Sequence, residues 1–253
     1  MEKRRDPDSC LVIENLSKDF GGLRAVDGVT LSVSSGERYV LIGPNGAGKT
    51  TFFNLLSGEY KASGGRIVYF GKDVTGLPPY KRAALGIART FQITNLFPNL
   101  TVLDNLLLGC QALRRTKFVM FRFLSSYRAF QQKSMDLLKE GGLWDKREEL
   151  VKNLSHGDQR QIEVLLALTG ESRLLLLDEP TAGLSQAETQ SLLQLIKRLD
   201  PALTILMIEH DMDVAFAFAE RIAVLHQGKL LVDGIKEEIK NNQVVQQIYL
   251  GEG

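Results

Sequence analysis

Residues 43–50, Gly43-Pro44-Asn45-Gly46-Ala47-Gly48-Lys49-Thr50, match the pattern G-x-x-x-x-G-K-[ST] at every fixed position. Such a loop suits a polyphosphate. Its glycines let the backbone wrap closely without side-chain clashes. A helix starting there presents a row of N–H groups and a positive dipole end to an anion. Lys49 adds a full charge for β- and γ-phosphates, and Thr50 a hydroxyl for Mg²⁺. A second group follows four leucines: Leu174-Leu175-Leu176-Leu177-Asp178-Glu179-Pro180. Its two carboxylates sit at the C-terminal end of a buried strand, where open α/β sheets bind ligands. Asp178 can hold Mg²⁺, directly or through water, and Glu179 can orient and polarise an attacking water. Two acids placed there for no purpose would cost desolvation without return.

Three further positions allow two readings each. His210 ends the run Thr204-Ile205-Leu206-Met207-Ile208-Glu209; it is either a phosphate contact or a structural histidine. Phe20, just before Gly21-Gly22, is a ring for a nucleotide base or a core residue at a strand end. Gln92 is an amide at a domain junction or a solvated loop residue. Leu154-Ser155-His156-Gly157-Asp158-Gln159 precedes a mostly helical Arg160 to Leu168. Taken alone it is an ordinary N-cap, though such a cap also offers N–H groups to an anion. His226 has no comparable context and reads as structural.

The elements that must carry these groups follow from periodicity. Tyr39-Val40-Leu41-Ile42 is a short buried strand into the loop, and the residues from Thr51 to Leu56 continue as a helix. Leu11 to Glu14 begins a strand, and Val29, Leu31 and Val33 alternate with polar residues as a half-buried strand does. Ser35-Gly36-Glu37 turns the chain back. Residues 66–70 form another strand, closed by Gly71-Lys72-Asp73. From about Pro78 to about Ala167 the pattern is helical, which suggests a helical subdomain inserted in an α/β core. Residues 221–225 and 229–232 read as a hairpin about Gln227-Gly228, and 236–250 as a polar helical tail. The expected division is a disordered tail 1–10 and one domain 11–253. Within it, 11–91 and 168–235 make the core, 92–167 the helical subdomain and 236–253 the C-terminal tail.

Bulk properties narrow the function. Formal net charge is +1 over 253 residues, with 44% apolar residues. A packed core is affordable, and nothing in the global charge points to nucleic acid. Cys10 and Cys110 stand far apart and read as free thiols in a reducing compartment. The charged N-terminus is not followed by an apolar core, and no run approaches the roughly 20 residues needed to span a bilayer. A cytosolic chain is expected, reaching a membrane only through a partner. Between 113 and 128, Leu113, Val119, Met120, Phe123, Leu124 and Tyr127 share one side of a helical wheel, and Arg114, Arg115, Lys117, Arg122 and Arg128 the other. Such a helix either lies near lipid headgroups or docks on its own subdomain with a solvated basic face.

This ordered set, from about Leu11 to Gly251, resembles the nucleotide-binding subunit of ATP-binding cassette transporters. The resemblance implies a P-loop NTPase core with a mixed sheet, an N-terminal antiparallel β part and an inserted α-helical subdomain. It implies ATP and Mg²⁺ as cofactors. Nucleotide contacts would come from Phe20, Val26, Gly43, Pro44, Asn45, Gly46, Ala47, Gly48, Lys49, Thr50 and Thr51. Ser155 and Gly157 would reach the γ-phosphate from a second subunit packed head to tail. Glu179, His210, Gln92 and Lys49 would be catalytic, and Thr50, Gln92 and Asp178 would hold the metal. The groove beside Gln92 would receive a coupling helix from a membrane permease, at the cytoplasmic face of the inner membrane, with a solute-binding protein engaged indirectly.

The chain departs from the family at His156 and Asp158, against the usual Leu-Ser-Gly-Gly-Gln, and at Ser185, where many members carry Asp. The last bears on cross-talk between the two sites rather than on hydrolysis. Residues 86–92 and 95–102, with Ser155 to Arg160, Ile208 to Met212 and the ending Tyr249-Leu250-Gly251-Glu252, are similar to the branched-chain amino acid uptake group. Urea and short-amide importers are close relatives, and lipopolysaccharide-export ATPases share the tail. A soluble cassette ATPase acting on nucleic acid or ribosomes usually carries two cassettes or a long coiled-coil insertion, and this chain has neither.

Overall fold

Within the strand Arg38–Ile42, Tyr39 and Leu41 belong to one apolar cluster, and Val40 and Ile42 to another. The same split occurs in Leu174–Asp178, where Leu174 and Leu176 part from Leu175 and Leu177. Successive side chains of a strand point to opposite faces. Strands apolar at every position therefore lie in a sheet covered on both sides. This explains why the sequence shows unbroken apolar runs there instead of alternation.

The computed structural model describes residues 9–90, 96–112 and 128–250. In chain order the elements are β1 (Ser9–Phe20), β2 (Leu23–Ser34), β3 (Arg38–Ile42), α1 (Lys49–Ser57), β4 (Gly64–Tyr69), β5 (Lys72–Asp73), α2 (Pro79–Ala84), β6 (Ile87–Arg89), α3 (Val102–Ala112) and α4 (Arg128–Glu140). Then come α5 (His156–Ala167), β7 (Leu174–Asp178), α6 (Gln186–Arg198), β8 (Thr204–Ile208), α7 (Met212–Phe218), β9 (Arg221–His226), β10 (Lys229–Ile235), α8 (Lys236–Lys240) and α9 (Gln243–Leu250). Six strands form a sheet in the order β10-β9-β3-β8-β7-β6. All its pairs are parallel except β10 with β9. The other four form an antiparallel sheet, β2-β1-β4-β5. The mixed sheet and the N-terminal antiparallel part are as expected.

The register of the larger sheet assembles the chemistry. Ile208 pairs with both Leu41 of β3 and Asp178 of β7. The phosphate loop, Asp178-Glu179 and Glu209-His210 therefore leave the sheet at one edge. At the far end of α1, the buried guanidinium of Arg82 donates to the carbonyls of Leu55 and Leu56 at 2.6 and 2.8 Å. It thereby satisfies carbonyls that a helix end leaves without an intrahelical partner.

Two expectations need correction. Ser9 and Cys10 are not part of a disordered tail; they begin β1, and Cys10 is fully buried. The stretch from Pro78 is not helical throughout, because β6 adds a strand of three residues to the edge of the large sheet. A segment that short shows no period to read. The strand begun at Leu11 runs on to Phe20, with register shifts that keep β1 paired to β2 along its length. The tail 1–8, Gln92 and the basic stretch 113–127 lie outside the described residues; Arg128 begins α4.

Candidate nucleotide-binding site

β3 delivers the chain into residues 43–48, and α1 begins at Lys49. A Cβ on Gly43 would meet the carbonyl oxygen of Leu225 at 2.1 Å. Gly48, the N-cap, has φ 98°, and a Cβ there would meet the carbonyl oxygen of Ala25 at 2.3 Å. Both glycines are required by close backbone approach. No side chain caps α1 and its first turn carries no acid. The Lys49 side chain folds back, donating to the Gly43 and Pro44 carbonyls at 2.5 and 3.0 Å. Burial pulls its ammonium below the usual lysine range, opposed by the charges of Glu179 and Asp178.

A cleft of about 510 Å³ opens over this loop. Asn45 to Thr51 line it, with Glu179 on one side and Phe20, Leu23 and Ala25 on another. Phe20 is 42% exposed, which removes the core reading. Its ring meets the edge of Tyr60 at 5.3 Å between centroids, and the Lys18 ammonium lies 4.9 Å from its centre. Val26 is corrected: its side chain is fully buried in the core, and the neighbouring Ala25 lines the cleft instead. On a strand, adjacent residues face opposite sides.

Glu179 follows β7 with φ 45°. A positive φ at a non-glycine residue costs of order 1–3 kcal/mol and clusters at functional sites. Its N–H is held by the Ile208 carbonyl at 3.0 Å. Glu179 Oε2 stands 3.9 Å from Nδ1 of His210, so the structure brings base candidate and histidine together. Asp178 is buried, and its Oδ2 accepts from Arg89 Nη2 at 2.8 Å. Arg89 also donates to Asn54 Oδ1 and Ser57 Oγ, which ties α1 to β7. Asp178 Oδ1 is buried with no hydrogen-bond partner among the described residues, an acceptor that fits a metal or its water.

Two contributors were missed from sequence. Arg89 neutralises Asp178 from 89 positions away. Glu209 is fully buried and accepts from Thr181 N–H and Oγ1 at 3.3 and 2.9 Å, fixing the turn after Pro180. Burial raises its carboxyl above the ordinary range, and the Thr181 bonds oppose this. A charged residue at the end of an apolar strand was the available signal.

Ser155 and Gly157 do not line the cleft of their own chain. Ser155 caps α5, its Oγ accepting from Asp158 N–H at 3.1 Å. Asp158 in turn takes Lys146 Nζ at 2.5 Å. The departure at Ser185 has a local reason too, since Ser185 and Glu188 form a capping box on α6.

A glycine-rich loop between a strand and a helix, a glutamate at positive φ and an exposed aromatic ring thus line one cleft, the arrangement of a P-loop nucleotide-binding fold. The ABC transporter family model matches residues 26–182, and the chain belongs to that family. It is 41% identical to the high-affinity branched-chain amino acid transport ATP-binding protein LivG of Salmonella typhimurium, over 96% of this chain and 98% of that one. The ADP conformation of an ATP-binding cassette of an ABC transporter superposes with a TM-score of 0.85 at 29% identity, over 96% of this chain and 99% of that one. A dimeric post-hydrolysis cassette bound to ADP and Pi superposes with a TM-score of 0.74 at 25% identity, over 89% and 98%. The chain is thus a nucleotide-binding ATPase subunit of ABC type. Among the described residues, no helix is long and apolar enough to cross a membrane.

Proposed function

We propose that this subunit drives uptake of branched-chain amino acids, or a related small solute, through a membrane permease. The observation that carries the reading is the near full-length match to LivG, 41% identical over 96% of this chain and 98% of that one. A groove of about 530 Å³ lined by Arg89, Thr90, Phe97, Asn105 and Leu166 supports the permease contact. It is mostly apolar, and Phe97 stands 56% exposed at it, as a surface awaiting a short helix would be. In this reading residues 92–167 work as the helical subdomain, and the subunit sits peripherally at the cytoplasmic face.

Within the site, Lys49 and the N–H groups of residues 45–51 hold the phosphates, and Phe20 with Ala25 holds the base. Thr50, Asp178 and Gln92 would hold Mg²⁺, which neutralises charge between β- and γ-phosphates when bound. Glu179 takes the proton of the attacking water, and His210 contacts the γ-phosphate. Ser155 and Gly157 of a second subunit, a copy or a close relative, complete the site from the opposite side.

Glu179→Gln should keep ATP binding, lower hydrolysis by about 10²–10⁴-fold and trap a nucleotide-bound dimer. Phosphate release and sedimentation measure both. Hydrolysis at the original rate would sink the assignment. Loss of branched-chain amino acid uptake on deleting this chain's gene, restored by the intact chain but not by the Glu179→Gln variant, tests the solute.

A further inference from the structure

The donors read as reaching a partner's γ-phosphate are already occupied within the single subunit. Gly157 N–H donates to Glu188 Oε1 at 3.0 Å, and Gly157 is buried. A Cβ at position 157 would lie 2.6 Å from Glu188 Cγ and 2.9 Å from its Cβ, so glycine is what lets this carboxylate approach. The other oxygen, Oε2, accepts from Ser185 N–H at 3.0 Å and Ser185 Oγ at 2.7 Å. Those bonds, the Ser185 hydroxyl foremost and Gly157 N–H last, hold the Glu188 carboxyl below its usual range, so it is ionised at neutral pH. Ser155 is engaged as well: its hydroxyl donates to Asp158 Oδ2 at 3.0 Å. The two carboxylates differ in their counter-charge. Asp158 is paired with Lys146, whereas Glu188 leans on amides and a hydroxyl.

A carboxylate and a γ-phosphate cannot share one N–H without like-charge repulsion. We propose that Glu188 is a specificity-determining residue for ATP-driven closure of two subunits. It holds Gly157 N–H in the open subunit, and only the γ-phosphate of the facing nucleotide displaces it. The proposal rests on the reading that Ser155 and Gly157 complete a partner's site. A terminal phosphate carries about −1.5 to −2 charges near neutral pH and offers three acceptor oxygens, so it outcompetes a single carboxylate for the donor. With a diphosphate in the facing loop no anion reaches that far. Glu188 then keeps the donor satisfied, and closure brings no exchange of ligands. The same carboxylate holds the cap of α6, so the stretch 182–185 senses whether the exchange has occurred. This supplies a link between the two sites at the place where Ser185 replaces the family's Asp.

Glu188→Gln keeps the size and a capping oxygen but removes the charge. In the full-length Glu179→Gln background with MgATP, it should tighten the dimer by about tenfold, the effect of a difference near one charge-assisted hydrogen bond. Affinity of the monomer for MgATP should not change. In the nucleotide-free subunit, the Gly157 amide should exchange with solvent faster in Glu188→Ala than in the wild type. Ser185→Ala is the structural control: it removes the α6 cap hydroxyl and lowers the Tm, yet leaves the dimer no tighter. A dimer unchanged or weakened in both Glu188 variants, or Gly157 exchange indifferent to Glu188→Ala, overturns the inference alone. Absence of any ATP-dependent dimer in the Glu179→Gln parent overturns the cross-subunit reading, and the inference with it.

Discussion

Two helix N-termini in this molecule point donors at anions, and they are built in opposite ways. α1 has a left-handed glycine cap, no capping side chain, no acid in its first turn and a lysine as its first residue. α5 has a serine cap, an aspartate in its first turn and a glutamate from α6 on its second N–H. The dipole is the same at both ends. The charges placed around it are not. The α1 end keeps its cation on neutral carbonyls, ready for exchange with a phosphate. The α5 end is satisfied by the chain's own acids. In the proposed reading the first binds nucleotide in a single subunit, and the second takes up a phosphate only when a facing subunit delivers one. Helix-end geometry alone thus does not make a site, and the difference gives closure its dependence on nucleotide.

Removing the cation from the α1 end is the strongest way to erase this contrast. Lys49→Ala leaves the loop its N–H groups but takes away its charge. Hydrogen bonds to charged groups contribute about 1.5–3 kcal/mol, so ATP affinity should fall roughly ten- to a hundredfold. Titration calorimetry on the isolated chain reads this directly. An unchanged affinity would mean that the backbone carries the phosphates unaided. The base end is next. Phe20→Ala should weaken ATP by about 1–3 kcal/mol, the range found for a base on an aromatic ring, and leave inorganic tripolyphosphate binding as it was. Equal losses for both ligands would show that Phe20 shapes the loop and does not stack on the base.

The contrast was half legible in the sequence. The phosphate loop and Asp178-Glu179 are local patterns, and the structure builds each from the strand and turn that its spacing implied. The α5 end was legible only as a cap. Its occupant, Glu188, lies 31 positions from Gly157, and only the packing of α6 against α5 brings them together. Arg89 and Asp178 are likewise joined by the pairing of β6 with β7. Val26 and Ala25 differ on a finer point. They are adjacent, both small and apolar, and the face each takes is settled by how β2 pairs with β1. The charged residues before Cys10 carry no strand pattern, yet Cys10 is buried in the core and its carbonyl accepts from Phe70 N–H at 2.8 Å. Burial pushes its thiol up to about 11, so it is protonated at neutral pH.

The smallest expected effect falls on the α5 end itself. Ser155→Ala removes one acceptor for Asp158 N–H and one donor to the Asp158 carboxylate. Loss of a serine cap costs about 1 kcal/mol of stability, read as a modest drop in Tm. Asp158 keeps its pairing with Lys146, so the helix start should stay folded. ATP binding by the isolated subunit should not move, because Ser155 lies outside its own cleft. Dimer formation in the Glu179→Gln background should weaken, since the γ-phosphate loses a hydroxyl donor from across the interface. Lys49→Ala should lower binding and closure together, whereas Ser155→Ala should lower closure alone. A Ser155→Ala subunit that bound ATP less well by itself would put the two helix ends in one site and dissolve the distinction between them.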